Sequence, residues 1–100
     1  MDFKTQDAEK AYKTIVNSSG IGFYEIISRP KEYAEAFRQN DELRPEDLDR
    51  NDQGLRALEM LEKAGLVMEN GSIHSYEVIE DAEVYDEVFD KLEDKREVLV

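Results

Sequence analysis

The stretch that most constrains this chain runs from Asn51 to Ile79. Leu55, Leu58 and Leu61, joined by Ala57, Met60 and Ala64, fall on one broad arc at helical spacing. Asn51 or Asp49 is placed to cap the start, and Gly65 stands where a helix end takes a left-handed residue. Leu66-Val67-Met68-Glu69 and the run Ser72 to Ile79 then flank Asn70-Gly71. Asn-Gly between apolar runs is a strong hairpin signal, because both turn positions need positive φ. The spacing predicts a helix over 51–64, a glycine stop and a two-stranded hairpin. On the second strand His74, Tyr76 and Val78 share one face, and Ile73, Ser75, Glu77 and Ile79 share the other. Asp52–Arg56 and Glu59–Lys63 are expected i, i+4 pairs, each contributing about 0.2–0.5 kcal/mol.

A lone hairpin is marginal in water and needs a covering layer. Helical segments on both sides supply it. Ala8, Ala11, Tyr12, Ile15 and Val16 form an amphipathic stripe that predicts a helix over 6–17, capped by Thr5 or Asp7. Residues 21–28 fit either a short buried helix or a strand. Pro30 ends that element and can open the next helix, over about 30–38, with Tyr33, Ala36 and Phe37 on one face. Arg44 to Leu48 reads as a short helical turn around Pro45. A last helix is expected over 82–94, with Val84, Tyr85, Val88, Phe89 and Leu92 as its stripe. Lys91, Lys95 and Arg96 gather at its end, and Val98-Leu99-Val100 is an apolar tail.

With 100 residues and no repeat, linker or low-complexity tract, the chain reads as a single domain over 1–100. Cysteine is absent, which removes disulfides, thiolate zinc sites and cysteine nucleophiles. His74 stands alone, better suited to packing than to catalysis. No residue spacing marks a catalytic triad, a phosphate loop or a complete calcium loop. The expectation is a binding protein without cofactor, metal or enzymatic activity. The N-terminus has no signal-like apolar stretch, and no run approaches the roughly 20 residues a membrane span needs, so a soluble, cytoplasmic protein is expected.

The formal net charge is −12. Three situations suit it: a salt-rich cytoplasm, a basic protein partner, or mimicry of nucleic acid. The acid excess is one in residues 1–28, two in 29–56 and nine in 57–100. A locally neutral or basic face over the first half therefore remains physically open.

The segment Leu55-Arg-Ala-Leu-Glu-Met-Leu-Glu-Lys-Ala-Gly-Leu-Val67 resembles the third helix and first wing strand of winged helix-turn-helix DNA-binding regulators. Met68 to Ile73 sits where their wing sits. The resemblance implies an α+β, mostly helical winged helix, with a two-stranded hairpin wing and a C-terminal helix over 81–95 suited to dimerisation. It makes 6–17 the first helix and 30–38 the second. The connection over 38–51, with Pro45 inside it, is longer than a helix-turn-helix turn, so the fold carries an insertion there or the likeness is local.

The same resemblance implies that the 51–64 helix enters a major groove, with Asn51, Gln53 and Arg56 toward base edges. Arg50, Lys31, Arg29 and Arg38 become phosphate contacts. Val84, Tyr85, Val88, Phe89 and Leu92 become a homodimer contact beyond their role in the core. The expected function is a small transcriptional regulator that binds double-stranded operator DNA. The alternative is a protein-binding adaptor or acidic inhibitor whose C-terminal helix engages a basic partner. Two features favour the alternative: Asp52, Glu59 and Glu62 balance Arg56 and Lys63 on the 51–64 helix, and Glu69 to Ser72 lacks a cation.

Overall fold

The computed structural model describes residues 2–39, 42–47, 52–71, 75–79 and 81–99, excepting the side chains of 42, 47, 52, 53 and 97–99. Helix α1 spans Gln6–Asn17. Thr5, in extended backbone, caps it by accepting the Ala8 N–H at 3.0 Å. The predicted stripe is its buried face: Ala8, Ala11, Tyr12 and Ile15 are all buried.

The ambiguous stretch is helical. Helix α2 covers Ile21–Ser28, with Phe23, Ile26 and Ile27 turned inward at i, i+3 and i+4. A helix satisfies its own backbone here, and among the described residues no strand pairs with it. Helix α3 spans Pro30–Gln39, with Pro30 at its first position, where the missing N–H costs nothing. The 38–51 connection contains a short strand, β1 (Glu42–Leu43), and a 3-10 turn over Pro45–Asp47.

Helix α4 runs Asp52–Lys63 and ends in a Schellman turn. Leu66 N–H donates to the Leu61 carbonyl at 2.9 Å, Gly65 N–H donates to the Glu62 carbonyl at 3.0 Å, and Gly65 has φ +83. The buried side chains of Leu61 and Leu66 complete the motif. Strands β2 (Val67–Asn70) and β3 (Ser75–Val78) follow, then helix α5 (Ala82–Leu99). Helix α5 is longer than its predicted 82–94, because 95–99 contain no glycine or proline to stop it. Lys95 and Arg96 lie within it. Among the described residues no helix is long and apolar enough to cross a membrane.

The hairpin forms, but not in the predicted register. Val67 pairs with Val78 and Asn70 with Ser75, so the strands join through 71–74, of which 72–74, including His74, lie outside the described residues. A two-residue Asn70-Gly71 turn would pair Glu69 with residue 72; Glu69 instead pairs with Tyr76. The four-residue displacement preserves the alternation of faces. Tyr76 and Val78 lie with Val67 against the core, as their spacing implied. The hairpin is also widened. Strand β1 pairs antiparallel with β3, Leu43 opposite Tyr76, giving a three-stranded sheet in the order β1-β3-β2.

One buried cluster draws on α1 to α5 and on all three strands. The α5 stripe belongs to it: Tyr85, Val88, Phe89 and Leu92 are at most 3% exposed and Val84 is 7% exposed. Within one chain these side chains belong to the core, where α5 packs on α1, α2 and α3, which leaves little of the stripe for the expected dimer contact.

Candidate nucleic-acid interface

The position of α4 is set by its contact with α2. Gly22 faces the α4 backbone so closely that a Cβ there would lie 2.8 Å from the Arg56 carbonyl carbon and 2.7 Å from Met60 Sδ. Real side chains do not approach so near, so the crossing requires glycine. It holds Arg56 at the rim of a cleft of about 160 Å³ between the start of α2 and the exposed flank of α4. Ser18, Ser19 and Gly20 line one side; Arg56, Glu59 and Lys63 line the other.

Gly20, at φ +127, precedes α2 without a side-chain cap. The first-turn N–H groups of α2 therefore lack a capping side chain at the positive end of the helix dipole. With Arg56 and Lys63 opposite and Glu59 as the one acid, this flank carries a local positive excess in a chain of net charge −12. Such an arrangement is electrostatically suited to an anionic group.

The wing side of α4 is the reverse. The Tyr76 phenol is pushed above its ordinary value by burial first, then by Glu62, Glu69 and Glu59. Glu62 of α4 and Glu69 of β2 thus act on one strand side chain, as does Glu59, which also lines the α2 cleft.

The predicted site residues separate into groups. Arg56 is exposed on the α2 flank. Arg50 and Asn51 lie outside the described residues, as does the side chain of Gln53 and therefore any Asp52–Arg56 pairing. Arg29 pairs with Glu25 and, at 3.6 Å, with Glu32. Lys31 reaches Glu93 at 3.5 Å. Arg38 donates to Asp86 at 2.6 Å and to the Ala82 carbonyl at 3.0 Å, with its guanidinium 6.0 Å from the Tyr85 ring centre. Lys31 and Arg38 therefore tie α3 to α5 and do not extend the α4 surface.

Lys63 was expected to pair with Glu59, but no such ion pair forms. It joins Arg56 at the cleft instead. Sequence reasoning missed Ser18, Ser19 and Gly22; the Ser-Ser-Gly-Ile-Gly run was the available signal. In comparisons with known proteins, no protein-family model, curated protein or solved structure matches the chain.

Proposed function

We propose that the chain is a DNA-binding regulator of winged-helix type, with α4 as the helix that enters the major groove. One arrangement carries the reading. Helix α4 leads through its Schellman turn directly into an antiparallel sheet, and its other flank holds exposed Arg56 and Lys63 beside the uncapped start of α2. Arg56, with Asn51 and Gln53 at the N-terminal positions, meets base edges. Lys63, Arg50 and the α2 N–H groups take phosphates. Arg29, Lys31 and Arg38 serve the fold in their ion pairs. Glu62 and Glu69, the acids nearer the wing, disfavour a phosphate on that side. A homodimer would use a face of α5 other than its buried stripe.

Gel-shift titration on random and genomic duplexes over a range of salt tests this reading. Specific binding should weaken as salt rises, with a slope of about −0.9 per phosphate contacted. Arg56→Ala combined with Gln53→Ala should remove specificity. Absence of specific binding at every salt concentration overturns the proposal, as does binding indifferent to that double substitution.

The carboxylates around Tyr76, together with exposed Glu83, Asp90 and Asp94 of α5, favour a second reading: an adaptor or inhibitor for a basic protein. Part of the α5 acid face is already engaged, since Asp86, Glu87 and Glu93 bond within the chain. A pull-down with Glu83, Asp90 and Asp94 changed to their amides separates the readings; identical capture argues against the adaptor.

A further inference from the structure

A second recess, which shares only Lys63 with the α2 cleft, lies where the end of α4, the start of β2, the exit of β3 and the start of α5 meet α1. Its volume is about 460 Å³, within the roughly 300–1,000 Å³ range of small-molecule sites. Ala11, Leu66 and Val84 give it an apolar floor. Ile79, 39% exposed, is the apolar side chain left facing solvent at its edge. The floor is fixed by hydrogen bonds: the Leu66 carbonyl accepts from the Ile79 N–H at 3.1 Å and from the Tyr85 hydroxyl.

Four charged residues line the recess, two of each sign: Lys10 and Lys63, Asp7 and Asp81. None of them takes part in an ion pair among the described residues, although Lys13 and Glu9, next to them on α1, pair at 3.0 Å. Opposite charges held around one apolar floor without joining leave positions for a ligand that carries both signs. Asp81 adds to this. It sits at φ +135, a conformation an aspartate adopts only under constraint, and one carboxylate oxygen is tied to the Glu83 N–H at 3.2 Å. The negative dipole end of α4 opens on the same recess through Ala64 and Gly65.

We infer that this recess binds a small zwitterion with an apolar side chain, of the α-amino-acid class. The ammonium group meets Asp81 and Asp7 near the end of α4. The carboxylate meets Lys10 and Lys63, and the side chain covers Leu66 and Val84 in place of water. Lys63 also lines the α2 cleft, so the two readings share that one side chain, and binding is measured on the free chain without DNA.

The test is a titration of the full chain followed by amide NMR shifts, using each of the twenty standard amino acids. Leucine then anchors an analogue series: isoamylamine, which keeps only the ammonium, and 4-methylpentanoate, which keeps only the carboxylate. At least one apolar amino acid should shift the amides of Ala11, Gly65, Leu66 and Val84 saturably. The single-charge analogues should bind at least tenfold more weakly. Lys10→Met and Asp81→Asn should each weaken binding at least tenfold in protein whose spectrum remains folded; asparagine keeps a side-chain oxygen for the Glu83 N–H. The inference is overturned by no saturable shift from any of the twenty. Equal binding of the single-charge analogues, or indifference to both substitutions, overturns it as well.

Discussion

The hydroxyl of Tyr85, on α5, donates to the backbone carbonyl of Leu66, the residue that joins α4 to β2. That carbonyl also accepts the Ile79 N–H at 3.1 Å, so it stays satisfied when the phenol is lost. Tyr85→Phe should therefore destabilise the protein by only about 1 kcal/mol, the ordinary net worth of a hydrogen bond. Urea unfolding measures it.

The same residue sets an alkaline limit. Burial, partly offset by Arg38, holds the Tyr85 phenol above its ordinary range, and burial also raises Tyr12 and Tyr76. An unfolded tyrosine ionises near about pH 10. Above that pH the unfolded chain gives up protons that the folded chain retains, so stability falls as pH rises. Stability should be insensitive to these phenols below about pH 10 and decline above it, and Tyr85→Phe should flatten the decline. Denaturant midpoints between pH 8 and pH 11 give the slope.

Gly22→Ala places a methyl group inside the α2–α4 crossing. Overpacking of this kind costs about 1–3 kcal/mol. For a domain of this size that lowers Tm by about 4–8 °C per kcal/mol. Gly20→Ala meets no atom within 4 Å but forces an alanine to φ +127. Both should destabilise, yet only Gly22→Ala should move the amide resonances of Arg56 and Met60.

Phe89→Ala separates core from interface. Phe89 is 3% exposed within a single chain. The substitution should cost about 3–5 kcal/mol. The light-scattering mass of the remaining folded protein should not change. A loss of mass with little loss of stability would return the stripe to a dimer contact.

Arg38→Met removes the charge that reaches Asp86 and the Ala82 carbonyl while keeping an apolar stem near Tyr85. The Asp86 partner is largely exposed, so the loss should be about 1 kcal/mol or less and should shrink further in high salt. Thermal melts at low and high salt make the comparison. Affinity for DNA should be unchanged.

What could be read directly from the residues is what local chemistry decides. The Thr5 cap, the Pro30 start and the Gly65 stop each depend on neighbours within one helical turn, and each is found where its spacing implied. The hairpin register is different. Asn70-Gly71 suits a tight turn, but the partner of Val67 is chosen by the packing of Val78 and Tyr76 on the core. Strand β1 is two residues long and exists only through its pairing with β3. The site followed the same division. Arg56 was visible as an exposed position on a patterned helix. The diversion of Lys31 and Arg38 to α5 depends on acids 62 and 48 residues further along, and no local pattern reports it.

The two helices farthest apart in the chain close the core together. Helix α1 packs on α5, and Glu87 accepts hydrogen bonds from the Lys4 N–H and the Thr5 hydroxyl. During synthesis α1 is complete at residue 17, whereas α5 begins at residue 82. Until that last helix emerges, α1 has α4 to pack on but lacks α5. The nascent chain therefore carries a partly uncovered apolar helix face until residues 82–99 are made, and the core that α1 and α5 share closes only with them.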